Sequence, residues 1–401
     1  MVMTTPFHSR LSQLSATGLF VHWSGYLSAA RYDISAKHEY FGVRNSAGLF
    51  DASPLFKYAI TGPDATRFLG GVFARDVRTC KVGRAQYTIW CDDDGYVLED
   101  GVLFRHGEND YLLTSAEPNL GYLCGLIGSL DVVIADVSDQ YGTLVLQGPR
   151  SRAILESLAP EVTSLPFFAM TPAKVAGHAV TISRTGFTGD LGFELMVPVE
   201  SALPVLDAVL AAGEPHGLRM LGNDALGMVR IEAGLPLIHV DFNSARLAYN
   251  AHEKFTPHDL GLGWLIKGID DDSRPFIGRR AIRRELVEKT SRWATVGVMV
   301  DRQAYHDLFT KAGVVPLYDE NPATWDTMLY DDSGAPAGYA PSLMYSPVLQ
   351  RHIAMARVRP DLAALGTRVH VEQTVNHAYT SVPAVVTRLP FYNPERKTAT
   401  P

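Results

Sequence analysis

The sequence is poor in the features that mark several large classes of protein. Its 401 residues hold three cysteines, Cys80, Cys91 and Cys124. Their spacing suits no metal site, and three are too few for a disulfide framework, so a reducing cytoplasm is the expected compartment. No run of about 18 apolar residues occurs, so no membrane span is expected. The opening "MVMTTPFHSRLSQLS" lacks the basic-then-apolar build of a secretory signal. Positive charge is not in excess. The formal net charge of −7 argues against nucleic acid or an anionic membrane surface as partner. There is no Gly-x-x-x-x-Gly-Lys-Ser/Thr phosphate loop and no strand-borne Gly-x-Gly-x-x-Gly. "CDDDG" lacks the ligand alternation of a calcium loop and reads as a turn with Asp94-Gly95 at its tip, so no metal is expected. "RRAIRRE" reads as a solvated helix face.

What is present is an ordinary globular composition, 46% hydrophobic and 20% charged, in a chain long enough for two or three domains. Two segments share a plan. "AITGPDATRFL" (Ala59 to Leu69) and "LVLQGPRSRAIL" (Leu144 to Leu155) each run an apolar strand into Gly-Pro and then a helix. Two such copies suggest two related α+β subdomains. Between them, "AQYTIWCDDDGYVLEDGVLFRHGENDYLLTS" alternates apolar and polar residues. The breaks at Asp94-Gly95 and at Gly107-Glu108-Asn109 predict three strands. Helices are expected over Ala202 to Ala212, Asp224 to Ala233 and Gly278 to Lys289. From Trp293 onward, short strands separated by Pro, Gly and Asp turns predict a compact all-β domain.

The densest local signal is "SRTGFTGDLGFEL", Ser183 to Leu195. Gly186, Gly189 and Gly192 recur at every third position, with Phe187 among them and Glu194 near the end. On residue physics alone this is a hairpin turn whose carboxylate faces water. Its company changes the reading. "RTGFTGDLGFE" resembles the R-T-G-Y-T-G-E-x-G-F-E motif of the glycine-cleavage T-protein family, tetrahydrofolate-dependent aminomethyltransferases and their demethylase relatives. Further matches follow in family order: "VRNSAGLFDAS", "GRAQYTIWCDDDGYVLEDGVLFR", "LQGPRS", "VRIEAGLPL", "TPHDLGLGWLIK", "FIGRRAI" and "VVTRLPFY". Together they span nearly the whole chain.

The resemblance implies an α+β, T-protein-like three-domain cloverleaf. Two interleaved α+β subdomains (1–285) would surround a folate channel, and a C-terminal all-β barrel would occupy 290–395. It implies tetrahydrofolate as cofactor. Glu194 matches the carboxylate that accepts the pterin N–H and NH2 side by side. Phe187 would pack on the folate rings, and the glycines would let the backbone approach a flat ring closely. Asp100 matches the catalytic carboxylate near the reactive folate nitrogens, with Glu99 before it where the family has Asp. Tyr87 matches a pocket-lining tyrosine, with a buried core tyrosine as the alternative. For Arg230, folate contact and an internal ion pair with neighbours such as Glu232 are both open. Trp264 is expected to serve packing.

Departures from the family pattern fall on the donor side. Pro54 and Leu55 replace His-Met, Leu226 and Gly227 replace Arg-Asp, Asn393 replaces Arg, and the segment Phe242–Phe255 is longer. The same cofactor with a different donor follows. The expected reaction moves a methyl group from O, S or N of a small molecule to N5 of tetrahydrofolate. His22, Trp23, Tyr26, Tyr32 and Tyr249 are the candidate donor-binding residues. Tyr26, Tyr249 or His22 could act as leaving-group acid for an aryl ether. The runner-up is a true aminomethyltransferase working with a lipoyl carrier protein. A non-catalytic folate-binding protein fits least, because relatives of that kind carry a cysteine where this chain reads "HEKFTPHDLGLGW".

Overall fold

The computed structural model describes residues 2–319, 321–323 and 325–399. Its architecture is α+β with a closed six-stranded β-barrel toward the C-terminus. Among the described residues no helix is long and apolar enough to cross a membrane.

The two Gly-Pro segments head two copies of one supersecondary unit. In the first, strand Phe56–Thr61 leads through Gly62-Pro63 to helix Ala65–Val72, then to strands Arg84–Cys91, Val97–Gly107 and Asp110–Ser115 and helix Leu120–Gly125. In the second, Tyr141–Gln147 leads through Gly148-Pro149 to Ser151–Glu156, then to Met170–Val175, His178–Ser183, Gly192–Pro198 and helix Ala202–Gly213. In each copy the last strand of the meander returns to pair antiparallel with the first. Gly62 and Gly148 sit at φ of +123° and +119°. A Cβ there would lie 2.4 Å from the Asp131 carbonyl oxygen and 2.5 Å from that of Val43. Only glycine fits either turn.

The copies exchange a strand. Gly48–Asp51 precedes the first unit but pairs with Tyr141–Gln147 of the second, and Val133–Asp136 precedes the second but pairs with Phe56–Thr61 of the first. The same small motif locks both crossings. Asp51 accepts from Ser53 N and Oγ at 3.0 and 2.5 Å, and Ser53 Oγ in turn accepts from Thr143 N at 3.0 Å. Asp136 accepts likewise from Ser138 N and Oγ at 2.9 and 2.5 Å, and Ser138 Oγ accepts from Lys57 N at 2.9 Å. Each sheet is therefore completed by chain that belongs, in sequence, to the other unit.

The meander strands begin and end at the expected breaks, and the "CDDDG" turn closes through Gly95 N on Asp92 O at 3.0 Å and Tyr96 N on Asp92 Oδ1 at 2.9 Å. The barrel runs in the order Ala294–Val300, Arg351–Val358, Pro336–Ser346, Thr327–Tyr330, Arg368–Val375, Ala378–Thr387. Val298, Ala354, Ala356, Val358, Val371 and Val382 are among the residues filling it. The all-β expectation needs one correction. Helix Arg302–Lys311 follows the first barrel strand, capped by Asp301 accepting from Ala304 N at 2.9 Å. Tyr305 and Phe309, one turn apart, bury against the barrel core.

Candidate functional site

Strands Arg84–Cys91 and Val97–Gly107 build one half of the site. Asp100 pairs with Ile89 and Tyr87 with Val102, so Tyr87 and Asp100 are diagonal neighbours on one sheet face. The Tyr87 hydroxyl donates to Asp100 Oδ2 at 2.8 Å. Glu99, the next residue back, is fully buried. Its Oε1 accepts from Asp100 N at 3.2 Å and its Oε2 from Glu117 N at 3.1 Å. Burial first, and then repulsion from Asp100, push the Glu99 carboxyl far above its usual range. Asp100 is also raised by burial, opposed by hydrogen bonds from Tyr87 and Glu99. Burial therefore favours the protonated form of Glu99 more strongly than that of Asp100. Burial, with Asp100 and Glu99 nearby, pushes the Tyr87 phenol up as well, so it remains a donor.

Three residues that sequence reading missed lie around this pair: Glu117, His239 and Asp241. Glu117, whose backbone N–H holds Glu99, accepts through Oε1 from His239 Nε2 at 2.7 Å. His239 sits at φ +68°, a left-handed conformation that costs a non-glycine residue about 1–3 kcal/mol. Asp241 follows two residues later. Its charge raises Asp100, and it forms a buried ion pair with Arg230. Ser342 of the barrel bridges them, accepting from Arg230 Nη2 at 2.8 Å and donating to Asp241 Oδ1 at 2.7 Å. Of the two readings of Arg230, the internal ion pair is thus present, with Asp241 as partner. Glu232 instead takes Arg44 at 2.7 Å. Trp264 is 48% exposed and stacks on Tyr87 at 6.3 Å between centroids.

The glycine-rich turn carries the second candidate carboxylate. Glu194, half-buried on strand Gly192–Pro198, pairs in register with Ser183 and Val145. Burial raises its carboxyl, and a hydrogen bond with Thr185 opposes that. Phe187 is half-exposed at the tip. Two of the glycines also have a cause within the fold. A Cβ on Gly186 would lie 2.0 Å from Gln147 Oε1, and one on Gly192 would lie 2.0 Å from Gln147 Nε2. The Gln147 amide fills the space between them. It donates to Thr185 O at 3.1 Å and accepts from Thr188 Oγ1 at 2.9 Å. Gly189, at φ +76°, closes on Ala233. Gly186 and Gly192 thus admit a buried side chain that fixes the turn.

The C-terminal tail straps the same turn. Asp190 accepts from Arg396 Nε and Nη2 at 2.6 and 2.7 Å and from the Tyr392 hydroxyl at 3.0 Å. Arg184 donates from Nη2 to the carbonyls of Arg396, Lys397 and Ala399. Arg44 reaches Thr188 O at 2.9 Å and stacks on Tyr392 at 4.1 Å.

The five candidate donor residues have different surroundings. Trp23 and Tyr26 face each other across the hairpin Phe20–Trp23/Tyr26–Ala29. Trp23 packs 5.7 Å from Phe50 in the cluster that also holds Met228, Met344 and Met355. The hairpin tip reaches the Asp100 side, where Ser24 Oγ donates to Ala116 O at 2.9 Å. The Tyr26 phenol is raised by burial and by Asp136 and Asp139, which places it at the strand exchange. Tyr32 is buried in the core beside Asp51 and Glu39. His22 is exposed, and Tyr249 is 95% exposed. The long segment lies along the meander, with Ala245 N on Val97 O at 3.0 Å and Val97 N on Phe255 O at 2.8 Å, and raises Leu247 and Tyr249 into solvent.

Comparison with known proteins agrees with this architecture. A family model described as the GCVT N-terminal domain matches residues 7–268, and one described as the glycine cleavage T-protein C-terminal barrel domain matches residues 313–393. The aminomethyltransferase of Streptomyces coelicolor is 33% identical over 381 residues, which cover 93% of this chain and 94% of that protein. The trimethylamine-oxide aldolase of Ruegeria pomeroyi is 30% identical over 412 residues, which cover 99% of this chain but 48% of that protein. The crystal structure of glycine cleavage system aminomethyltransferase T from Bartonella henselae has the same fold, with a TM-score of 0.81 at 23% identity over 98% of this chain and 99% of that one. The chain belongs to the glycine cleavage T-protein family.

Proposed function

We propose, starting from that membership, that the protein is a cytoplasmic enzyme that moves a one-carbon unit from a methylated small molecule to N5 of tetrahydrofolate. The observations that carry the proposal are the Tyr87–Asp100–Glu99 arrangement and a second carboxylate, Glu194, for which Thr185 is the side-chain hydrogen-bond partner found among the described residues. Glu194 keeps acceptor capacity for the paired N–H groups of a pterin. Phe187 offers a half-exposed ring beside it, and Arg230 enters through Asp241. Asp100, held as carboxylate by two donors, can orient a folate nitrogen and stabilise positive charge that develops there. An oxygen leaving group would need an acid, for which Tyr26, Tyr249 and His22 are the candidates. A sulfonium or ammonium donor leaves neutral and needs none. Trp23, at the seam between module and barrel, is the aromatic best placed to border a donor.

A second reading, aminomethyl transfer from a lipoyl carrier, is favoured by the name of the Streptomyces coelicolor relative. Pro54, Leu55, Leu226, Gly227 and Asn393 count against it. Gly227 also packs toward Pro322, with 3.3 Å between an added Cβ and Pro322 Cγ. Calorimetry tests the folate half of the proposal. Glu194→Ala should weaken tetrahydrofolate binding by about 2–4 kcal/mol, since pterin donors would lose their acceptor. Asp100→Asn should keep the fold and lose about a hundredfold or more in turnover. Unchanged affinity or unchanged turnover removes the corresponding role.

A further inference from the structure

Five arginines are buried among the described residues: Arg44, Arg184, Arg230, Arg274 and Arg357. Four have their charge met. Arg44 pairs with Glu232, Arg230 with Asp241 and Arg274 with Asp76. Arg184 is surrounded by the carbonyls of Leu165, Arg396, Lys397 and Ala399. Arg357 differs. It is 3% exposed, and its one hydrogen bond runs from Nη1 to the Tyr339 hydroxyl at 2.8 Å. Its Nε, like those of Arg184 and Arg230, has no hydrogen-bond partner among the described residues, so the missing counter-charge is what sets it apart. Among the described residues no carboxylate forms an ion pair with it, although Asp326 feels its charge from farther off. Burying a charge without a counter-charge costs several kcal/mol, so a guanidinium in this state is one that lacks an anion.

Its position points to where that anion comes from. Strand Arg351–Val358 turns Ala354, Ala356 and Val358 into the barrel. Ile353 and Met355 face the other way, into the seam with the N-terminal module, and the period of two places Arg357 on their face. One step along the ladder, Met355 Sδ meets Arg230 Nη1 at 3.9 Å. Ser342 pairs with Met355, so Arg357 adjoins the Arg230–Asp241–Ser342 cluster, whose Asp241 charge acts on both Asp100 and Asp326. The guanidinium plane is already oriented. Phe255 lies 4.0 Å from it and the Tyr339 ring 5.4 Å, and Trp293 meets Tyr339 edge-on at 5.5 Å. A fixed, aromatic-flanked guanidinium with unspent N–H donors matches the two-oxygen geometry of a carboxylate.

We propose that Arg357, held by Phe255 and Tyr339, binds the carboxylate of a substrate at the seam between barrel and N-terminal module. The inference rests on the proposed function for the identity of that substrate: the glutamyl end of the folate or the acid group of the methyl donor. Calorimetric titration of Arg357→Met beside the wild type separates the two. The probes are tetrahydrofolate, 6-methyltetrahydropterin as its carboxylate-free counterpart, and benzoate and propionate as simple acids. A loss of tenfold or more for tetrahydrofolate, with the pterin unaffected, assigns the folate end. A loss confined to benzoate or propionate assigns the donor. Equal affinity of variant and wild type for every probe overturns the proposal. If the wild type binds no tetrahydrofolate, the functional reading falls, while benzoate and propionate still decide the fate of Arg357. If Arg357→Met does not fold, wild-type melting decides instead. Benzoate should raise the midpoint where benzamide does not, and equal responses to the two would overturn the site.

Discussion

Replacing Gly192 by alanine tests why the glycine-rich turn is built as it is. Gly192 stands directly across from Gln147 in the strand pair, and its new methyl would lie 2.0 Å from Gln147 Nε2. Ordinary contact begins about 1.4 Å farther out, so the amide must leave. It then forfeits its bonds to Thr185 O and from Thr188 Oγ1. Two buried hydrogen bonds at about 1 kcal/mol each, with overpacking toward the low end of its usual range at about 1–2 kcal/mol because the amide can leave, predict a loss of about 3–4 kcal/mol. In a Gln147→Ala background the obstacle is gone, and the same substitution should cost under about 1 kcal/mol. The coupling energy, about 2–3 kcal/mol, is the signature of direct contact. Urea unfolding of the four proteins, followed by tryptophan fluorescence, measures it. If Gly192→Ala costs as much without Gln147 as with it, the glycine is kept for some other neighbour and the account of the turn fails.

Two further outcomes follow from the site. Arg396→Ala removes two hydrogen bonds from Asp190, whose side chain is 0% exposed, while Arg396 itself is 39% exposed. We expect a loss of about 1–2 kcal/mol and faster proteolysis within 183–192, with Arg396→Lys restoring part of it; unchanged protease resistance would show that the tail does not hold the turn. The raised Glu99 carboxyl means that the folded chain keeps a proton that the unfolded chain releases near its ordinary value of 4.5. The associated stability is therefore complete below about pH 4.5 and declines as pH rises toward the folded value. Glu99→Gln should flatten that decline in pH-dependent unfolding, and an unchanged slope would place the proton elsewhere.

Much of the fold was legible in the sequence because its signals are local. The alternation from Ala85 to Ser115 and the Asp-Gly break fixed three strands, and the repeated Gly-Pro marked two units whose glycines share one conformation. Helix Arg302–Lys311 was equally legible, from the Asp301 cap and the Tyr305–Phe309 spacing, but was masked by the strand-rich sequence around it. The exchange of strands was not legible. Gly48–Asp51 lies nearest in sequence to the unit it does not join, and the Asp-x-Ser locks at Asp51 and Asp136 are too short to stand out. At the site, Asp100, Tyr87 and Glu194 came from motif order. Their supports did not, because each partner is remote in the chain: Arg44 from Glu232, Gln147 from Gly186, Asp190 from Arg396. Aromatic side chains do not announce their surroundings. Tyr32 went to the core and Tyr249 to solvent for reasons of packing that composition does not carry.

The central claim is a one-carbon transfer from a methylated small molecule to tetrahydrofolate, and mass spectrometry of the folate product tests it most directly. The protein is incubated with tetrahydrofolate and, in turn, methoxybenzoates, dimethylsulfoniopropionate, betaine and sarcosine. The account predicts 5-methyl-tetrahydrofolate with at least one of these donors, formed about a hundredfold or more slowly by Asp100→Asn. Methylene-tetrahydrofolate formed only when an aminomethylated lipoyl carrier is supplied would contradict it and establish the aminomethyltransferase reading instead.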